Sequence, residues 1–203
     1  MLRRLLIALL LCLAGPVLAQ SPPAAAPDLP RVALVTDKGR IVVELETVRA
    51  PVTAGNFLRY VDARRFDGME FYRAMPGNAP GTGLIQGGVR DSRKLFPVIA
   101  HEPTSQTGLS HVDGALSAPR FAPGTAQSDF TIMVGPQAYL DAGPNSGSGD
   151  PYGFAVFGRV VEGMDVVRAI LAAPTSPTEG EGWMRGQMLS PRVRIITARR
   201  VQP

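Results

Sequence analysis

The stretch FYRAMPGNAPGTGLIQGG, residues 71–88, places a single arginine, Arg73, directly after two aromatic residues. A guanidinium stays charged in proteins and holds its N–H donors in a rigid planar fork, so its chemistry is hydrogen-bond donation to a fixed target. The chain then runs through Gly and Pro residues and returns in Leu-Ile-Gln-Gly-Gly, where Gln86 supplies an amide. The local sequence alone favours an ordinary exposed arginine beside an aromatic side chain, so its surroundings must decide its role.

Residues for other kinds of chemistry are sparse. His101 and His111 are the only histidines, and no neighbouring residues complete a metal-ligand set, which favours surface or hydrogen-bonding roles. Gly81 and Gly83 resemble the start of a dinucleotide-binding turn, but the third glycine is replaced by Gln86. We therefore expect neither a metal nor an organic cofactor.

The first 20 residues, MLRRLLIALLLCLAGPVLAQ, have the pattern of an export signal. Arg3 and Arg4 precede an apolar run that is too short to span a bilayer, and Ala19 offers a small residue for cleavage. The sequence thus predicts a signal peptide over residues 1–19, export of the mature chain and no stable membrane insertion. Cleavage would remove Cys12, the only cysteine, and with it any disulfide or thiolate chemistry.

The segment after the signal is rich in Pro and Ala, and we expect residues 20–30 to form a disordered spacer before a single domain over residues 31–203. The formal net charge of the whole chain is +4. No basic face is dense enough to favour nucleic acid as a partner.

The remaining pattern consists of about eight short strands and two helices. Val32–Thr36 and Arg40–Glu46 flank a turn at Gly39, which is typical of a hairpin. Ala50–Ala63 has an apolar face and Pro51 in its first turn, which indicates a helix. The further predicted strands are Met69–Arg73, Leu84–Gln86, Gly114–Ala118, Phe130–Val134, Phe154–Val161 and Arg192–Arg199, with a second helix at Asp165–Leu171 and an exposed loop at Pro174–Gly186. Consecutive strands favour an antiparallel sheet, and closing it into a barrel would remove its edges.

Several stretches, in order, resemble the cyclophilin-type peptidyl-prolyl cis-trans isomerases, and most closely the exported bacterial branch. These stretches are VTDKGRIVVELE…APVTAGNFLRYV, FDGMEFYRAMPG…LIQGG, GALSAPR, SDFTIMV, YLDAG and YGFAVFGRVVEGMDVV. The resemblance covers roughly residues 32–171 and continues weakly to the end of the chain. It implies a mainly β fold, a closed eight-stranded antiparallel β-barrel capped by two α-helices. Together with the predicted signal peptide, it also implies a periplasmic location.

The resemblance also implies roles for the two residues of the opening stretch. Arg73 matches the family's catalytic arginine, and Gln86 matches the glutamine that contacts the substrate backbone and helps to hold that arginine. Isomerisation of an X-Pro bond needs no nucleophile, only stabilisation of the twisted amide, whose barrier is about 20 kcal/mol. A fixed donor aimed at the prolyl nitrogen would serve that purpose.

Further residues match the substrate groove of the family, although each is also a plausible core residue. Leu84 takes the place of a methionine in the proline pocket. Tyr139 and Leu140 match an aromatic-Leu pair at the pocket rim. Phe154 falls where many members carry His and exported bacterial members often carry Tyr. The groove strand that pairs with the substrate backbone is matched by Ala118, Pro119 and Arg120.

Three departures from the family pattern bear on activity. Thr131 stands where a phenylalanine usually forms the pocket floor, and Phe121 or Phe130 could compensate for its loss. Asp129 replaces a glutamine, and its carboxylate could pair with Arg73 and occupy its donors. Residues 78–82 resemble an insertion that displaces a second pocket phenylalanine.

These features leave three functions open. The first is a monomeric isomerase acting on proline-containing polypeptides during the folding of exported proteins. The second is a weakly active or inactive module of the same fold that binds peptides or proteins. The third is a lipocalin-like carrier of small ligands, which would require an empty barrel lumen.

Overall fold

The computed structural model describes residues 28–144, 146–147 and 149–202. The predicted signal peptide, residues 1–19, lies outside the described residues, as does most of the predicted spacer. Residues 28–30 have no regular secondary structure. The carbonyl of Pro30 nevertheless accepts a hydrogen bond of 2.9 Å from the amide of Leu45 on the second barrel strand. Hydrogen bonding to the barrel therefore extends to Pro30.

The strands form one antiparallel sheet that closes on itself. They are β1 (Arg31–Thr36), β2 (Gly39–Leu45), β3 (Glu70–Pro76), β4 (Gly83–Gly88), β5 (Ala115–Ala118), β6 (Phe130–Val134), β7 (Ala155–Glu162), β8 (Thr175–Ser176) and β9 (Met188–Val201). The order around the barrel is β1-β2-β7-β5-β6-β4-β3-β9, and the pairing of β9 with β1 closes it. The predicted eight-stranded antiparallel barrel is thereby confirmed, with the two-residue β8 added beside β9.

Three α-helices accompany the barrel: α1 (Pro51–Asp62), α2 (Thr104–Thr107) and α3 (Met164–Leu171). The two predicted helices correspond to α1 and α3, whose apolar faces are buried in the same core as the barrel interior. The four-residue α2 was not predicted, because TSQT carries no apolar period. Within the described ranges, no helix is long and apolar enough to cross a membrane.

Helix α1 depends on a distant carboxylate for its N-terminus. Its N-cap residue, Ala50, has no side chain to accept from the first amides of the helix. The buried Glu102 accepts hydrogen bonds from the amides of Val52 and Thr53 at 3.0 and 2.7 Å, and from the Thr53 hydroxyl at 2.6 Å. This satisfies helix donors that would otherwise be orphaned and ties α1 to the loop before α2.

The barrel interior is filled by aromatic side chains. The ring of Phe57 from α1 lies 5.0, 5.2 and 5.5 Å from the rings of Phe66, Phe130 and Phe157. The ring of Phe71 packs 5.5 Å from that of Phe130. In the described part of the chain, side chains fill the barrel interior, which argues against the carrier function because that function would require an empty lumen.

Strand alternation separates this core from a second, outward-facing surface. On β6, Phe130, Ile132 and Val134 point into the core cluster, while Thr131 and Met133 point outward to a groove. The same two-residue period on β4 sends Leu84 and Gln86 to the groove. The inward-facing side chains of the barrel wall therefore form the hydrophobic core, and the outward-facing side chains of β4 and β6 line the groove.

Candidate active site

The groove has a volume of about 860 Å³ and runs along the outer face of β3, β4 and β6. The residues predicted from the sequence that line it are Arg73, Leu84, Gln86, Pro119, Arg120, Asp129, Thr131, Tyr139, Leu140 and Phe154. They come from separate segments that only the barrel brings together.

Ala118 is the predicted site residue that does not line the groove. Its side chain is 5% exposed and belongs to the core cluster, while the adjacent Ser117 faces the groove. The reason is the strand alternation of β5, which turns every second side chain inward. Any contact of Ala118 with a substrate would have to be made by its backbone.

Arg73 is held in the floor of the groove and is only 4% exposed. Its Nε donates to Oε1 of Gln187 at 2.8 Å, Nη1 donates to Oε1 of Gln86 at 2.8 Å, and Nη2 donates to Sδ of Met75 at 3.1 Å. An arginine has five N–H donors. Among the described residues, these bonds leave one N–H on each terminal nitrogen for a further acceptor.

Arg73 is buried, so the interpretation that the local sequence favoured, an ordinary exposed arginine, is wrong. Burial lowers the pKa of Arg73 from its ordinary value. The guanidinium nevertheless remains charged at neutral pH, because an unperturbed arginine titrates far above it. The result is a fixed cationic fork with little water around it.

The Gln-Gly-Gly sequence explains how β4 approaches this arginine. Gln86 is the cross-strand partner of Arg73, next to a register shift between Phe71 and Arg73. A Cβ atom added at Gly88, where φ is +158°, would lie 2.2 Å from Oδ1 of Asp129. Only glycine therefore allows Asp129 to lie against the end of β4.

Asp129 does not pair with Arg73, contrary to the possibility raised by the sequence. Its Oδ2 accepts from the Tyr72 hydroxyl at 2.5 Å and from Nε2 of Gln86 at 3.0 Å. Nε2 of Gln86 also donates to the Tyr72 hydroxyl at 2.6 Å. Tyr72 and Asp129 thus hold the amide nitrogen of Gln86, and this orients its amide oxygen toward Arg73, from which the oxygen accepts.

The same bonds limit what Gln86 can do for a substrate. Both N–H groups of its amide are used by Tyr72 and Asp129, and its oxygen already accepts from Arg73. One lone pair on Oε1 remains for a substrate N–H. Gln86 therefore acts first as the residue that holds Arg73.

Comparison with known proteins identifies the family. The family model of the cyclophilin type peptidyl-prolyl cis-trans isomerases matches residues 31–199, from the first residue of β1 almost to the end of β9. The chain belongs to this family.

Individual relatives agree with the family model. The chain is 34% identical over 162 residues to peptidyl-prolyl cis-trans isomerase A of Dickeya dadantii, covering 77% of this chain and 79% of the relative. It is 35% identical over 152 residues to peptidyl-prolyl cis-trans isomerase cyp18 of Streptomyces antibioticus, covering 73% and 87%. These relatives are named as isomerases, so this cyclophilin belongs to an enzyme family.

A solved structure supports the fold. The crystal structure of a cyclophilin type peptidyl-prolyl cis-trans isomerase from Cryptosporidium parvum superposes with a TM-score of 0.65 at 17% identity. The match covers 86% of this chain and 99% of that one. The barrel described above is thus the fold of a known cyclophilin.

The apolar part of the groove in this cyclophilin is built from flexible aliphatic and sulfur-containing side chains. Leu84 and Met133 form a buried cluster against which Met75 and Leu140 pack. Methionine adapts its shape to what it contacts, so this pocket tolerates varied partners. Phe154 also lines the groove.

No aromatic side chain takes over the floor position of Thr131 in the described part of the chain. The Thr131 hydroxyl donates to the carbonyl of Ser117 at 3.2 Å. Phe130 lies in the core on the opposite face of the strand, and Phe121 is fully exposed at the groove rim. The compensation suggested for Phe121 or Phe130 is therefore not found, and the buried apolar cluster of the pocket is built on Leu84 and Met133.

The position of the proposed insertion also leaves no room for an aromatic side chain. Residues 77–82 form a tight turn in which the amide of Gly77 donates to the carbonyl of Thr82 at 2.7 Å. A Cβ at the following Gly83, where φ is +148°, would lie 2.2 Å from the carbonyl oxygen of Met75. Residue 83 therefore cannot carry a side chain, and Leu84 is the first residue after the turn whose side chain reaches the pocket.

The far wall of the groove is held by buried polar contacts. Arg120 pairs with Asp150 at 2.8 Å, donates to the carbonyl of Gly153, and lies 5.2 Å from the ring centroid of Phe154. The fully buried His111 bonds through Nε2 to the Ser117 hydroxyl at 2.9 Å and through Nδ1 to Asp141. The hydrogen-bonding role predicted for this histidine is confirmed. In the described part of the chain, no group of three or more His, Cys, Asp or Glu side chains is placed to hold a metal ion.

Sequence reasoning missed three residues that contact Arg73: Met75 on the same strand, and two residues from the loop before β9. Gln187 accepts from Nε of Arg73, and the ring of Trp183 lies 4.4 Å from its Cζ atom. The prediction that residues 174–186 form only an exposed loop is thus incomplete. The available signal was the chain's single tryptophan, Trp183, in a polar, Gly-rich segment, since tryptophan combines a large apolar surface with a polar N–H.

Asp129 gives a prediction about stability and pH. Burial raises the pKa of Asp129, so the folded protein binds this proton more readily than the unfolded chain does. Ionised Asp129 therefore lowers stability above its folded pKa, and this penalty disappears as the pH falls toward the ordinary value of 3.8. We expect Asp129→Asn to raise the thermal unfolding temperature at pH 7, and the gain to shrink when both proteins are melted near pH 4.

A matched control for this prediction is Asp91, whose side chain is 29% exposed. Its hydrogen bonds with Arg93 lower its pKa to about 2. Asp91→Asn should therefore not raise the unfolding temperature at pH 7. A gain for Asp129→Asn that grows as the pH falls would contradict the prediction.

Proposed function

We propose that this protein accelerates cis/trans isomerisation of X-Pro bonds in exported polypeptides while they fold, as a member of the exported bacterial branch of its family. The observation that carries the proposal is the state of Arg73. Its guanidinium is 4% exposed, is fixed by Gln86 and Gln187, and retains one N–H on each terminal nitrogen. A donor of this kind in a peptide-sized groove suits a reaction whose only requirement is stabilisation of a twisted amide.

The chemistry follows from the electronic structure of the prolyl amide. Resonance keeps the bond planar, and rotation localises the lone pair on the prolyl nitrogen at the top of a barrier of about 20 kcal/mol. A hydrogen bond from Arg73 to that nitrogen is available only in the twisted state. It therefore lowers the barrier without tightening the binding of either planar isomer.

The fixed position of the donor makes this interaction effective. Because Arg73 is already oriented and largely desolvated, it does not need to reorganise when the bond rotates. The Leu84, Met133 and Leu140 side chains offer an apolar surface for the proline ring. This surface would hold the proline ring in place while the residue before proline rotates about the X-Pro bond.

The groove also supports the isomerase over the inactive binding module. That alternative depended on Asp129 occupying the donors of Arg73, and on a pocket made shallower and wetter by the loss of two phenylalanines. Asp129 instead accepts from Tyr72 and Gln86, and the walls are supplied by aliphatic side chains. We infer a monomer, because one chain contains every wall of the groove.

A peptide exchange experiment tests this function. The mature protein is added at catalytic concentration to an Ala-Pro peptide, and cis/trans exchange is measured by magnetisation transfer between the two proline signals. Uncatalysed exchange takes tens to hundreds of seconds, so exchange within a second would demonstrate catalysis. Saturable binding with exchange at the uncatalysed rate would favour the binding module.

The periplasmic location is a separate part of the proposal, supported by the pattern of residues 1–19. We expect the full chain, expressed in a Gram-negative host, to be recovered in the periplasm with Gln20 as its first residue. A variant with Arg3 and Arg4 changed to Glu should accumulate uncleaved. Recovery of wild type in the cytoplasm with an intact N-terminus would contradict the assignment.

A further inference from the structure

The segment between β8 and β9, residues 177–187, is built against the active site and is here called the 177–187 loop. The backbone amide of Ala74, next to Arg73, donates to the carbonyl of Gln187 at 2.9 Å. The Gln187 side chain accepts from Nε of Arg73 at 2.8 Å and donates to the carbonyl of Trp183 at 3.0 Å. One glutamine therefore links the catalytic arginine to the tip of the loop.

The loop has further internal bonds that fix its shape. The amide of Gly186 donates to the carbonyl of Glu179 at 3.0 Å, and the Glu179 carboxylate accepts from Arg192 on β9 at 3.1 Å. A Cβ at Gly180, where φ is +96°, would lie 2.5 Å from the carbonyl oxygen of Met184. This close crossing requires glycine and holds residues 182–184 in their short 3₁₀ turn.

Trp183 is placed by this loop in an unusual environment. Its ring centroid lies 4.4 Å from Cζ of Arg73, within the range of a cation–π contact. The residue is nevertheless 71% exposed and lines the groove together with Met184. The indole therefore covers the arginine with part of its surface and leaves a large apolar area open to whatever enters the groove.

The distance to Arg73 determines which part of a bound peptide this surface meets. A prolyl nitrogen that accepts from Arg73 lies about 3 Å from a guanidinium nitrogen. Consecutive Cα atoms are about 3.8 Å apart. The residue adjoining the proline thus falls within reach of an indole whose centre is 4.4 Å from the guanidinium carbon.

We propose that Trp183 is a specificity-determining residue, which binds a large apolar side chain, such as Leu or Phe, on the residue flanking the substrate proline. Gln187 is its positioning residue, because it fixes the loop and Arg73 in one arrangement. The inference rests on the proposed isomerase function. The expected side chain is apolar, because an exposed indole beside Met184 gains most by burying an apolar group.

The first test compares peptides with Trp183 variants. The residue before and the residue after proline are varied separately between Gly and Leu or Phe. Trp183→Ala should lower kcat/KM about two- to tenfold for the peptides with Leu or Phe, chiefly through a higher KM. It should change kcat/KM less than about twofold for the Gly peptides, and Trp183→Phe should restore most of the preference. An equal loss on every peptide would overturn the proposal.

The second test uses the fact that Trp183 is the only tryptophan in the chain. Fluorescence excited selectively at tryptophan, and not at the four tyrosines, therefore reports on this position alone. Titration with a Leu-Pro peptide should shift the emission and saturate near the KM of that peptide. An emission unchanged at saturating peptide, while isomerisation proceeds, would overturn the proposal and leave the isomerase function intact. A saturable shift without any catalysed exchange would support the contact and contradict the isomerase function.

A matched control separates this role from general effects of losing a surface aromatic residue. Tyr152 is 59% exposed and is not among the residues that line the groove. Tyr152→Ala should leave both the peptide preference and the fluorescence response unchanged. A Tyr152→Ala variant with the same peptide-dependent loss as Trp183→Ala would contradict the assignment of specificity to Trp183.

Discussion

Arg73→Ala should lower kcat/KM for proline-peptide isomerisation by about 100- to 1000-fold, the loss typical when one preorganised donor is removed from a transition state. The reason is that no other described cation is fixed at the centre of the groove by two glutamines, as Arg73 is by Gln86 and Gln187. The loss should appear mainly in kcat, because the hydrogen bond to the prolyl nitrogen forms only when the amide twists. Magnetisation transfer with an Ala-Pro peptide measures both parameters.

Arg73→Lys separates charge from geometry. A lysine keeps the positive charge but lacks the planar fork, so it cannot bond to Gln86, Gln187 and a substrate in the same arrangement. We expect it to recover only a small part of the lost activity. Full activity in Arg73→Lys would show that a point charge is sufficient.

A surface arginine provides the control for this series. Arg200 pairs with Asp62 at 2.7 Å on the outside of the barrel, and about half of its side chain is exposed. Arg200→Ala should isomerise peptides at the wild-type rate. If Arg73→Ala also retained that rate, Arg73 would have no catalytic role and the mechanism would have to be abandoned.

The elements that the sequence predicted well are those with strong local patterns. The hairpin around Gly39 and the strand Phe130–Val134 appear where they were expected, because β-branched residues, a turn glycine and apolar runs determine them locally. The limits of β3 and β9 were less accurate. Strand β3 continues to Pro76 and β9 begins at Met188, because pairing with neighbouring strands extends both beyond their apolar patterns.

The sequence predicted the contact of the site between Arg73 and Gln86, which lies within one local motif, and it missed the contacts between distant segments. Arg73 and Gln86 lie 13 residues apart on paired strands, so their contact follows from one hairpin. Gln187 lies 114 residues from Arg73, and no periodicity connects the two. The partner of Asp129 was misjudged for a similar reason, because its distance from Arg73 depends on the register of β6 beside β4.

A second large effect is expected on the free energy of unfolding when Phe130, in the core beneath the groove, is replaced. Phe130 is 1% exposed and packs edge-on against Phe57, Phe66 and Phe71, with ring centroids 5.2, 5.5 and 5.5 Å away. Phe130→Ala should lower the free energy of unfolding by about 3–5 kcal/mol, because it removes buried apolar area and leaves a cavity among rigid rings. Urea unfolding followed by circular dichroism measures this difference.

Phe121 offers a control of the same residue type, because it is 100% exposed, and Phe121→Ala should change the unfolding free energy by no more than about 0.5 kcal/mol. The contrast tests the division of the barrel wall into two faces. Phe130 lies between Asp129 and Thr131, which face the groove, so a relaxed core should also loosen the carboxylate that orients Gln86. Phe130→Ala should therefore lose activity before it unfolds. Equal stability losses for the two variants would mean that Phe130 does not anchor the groove wall.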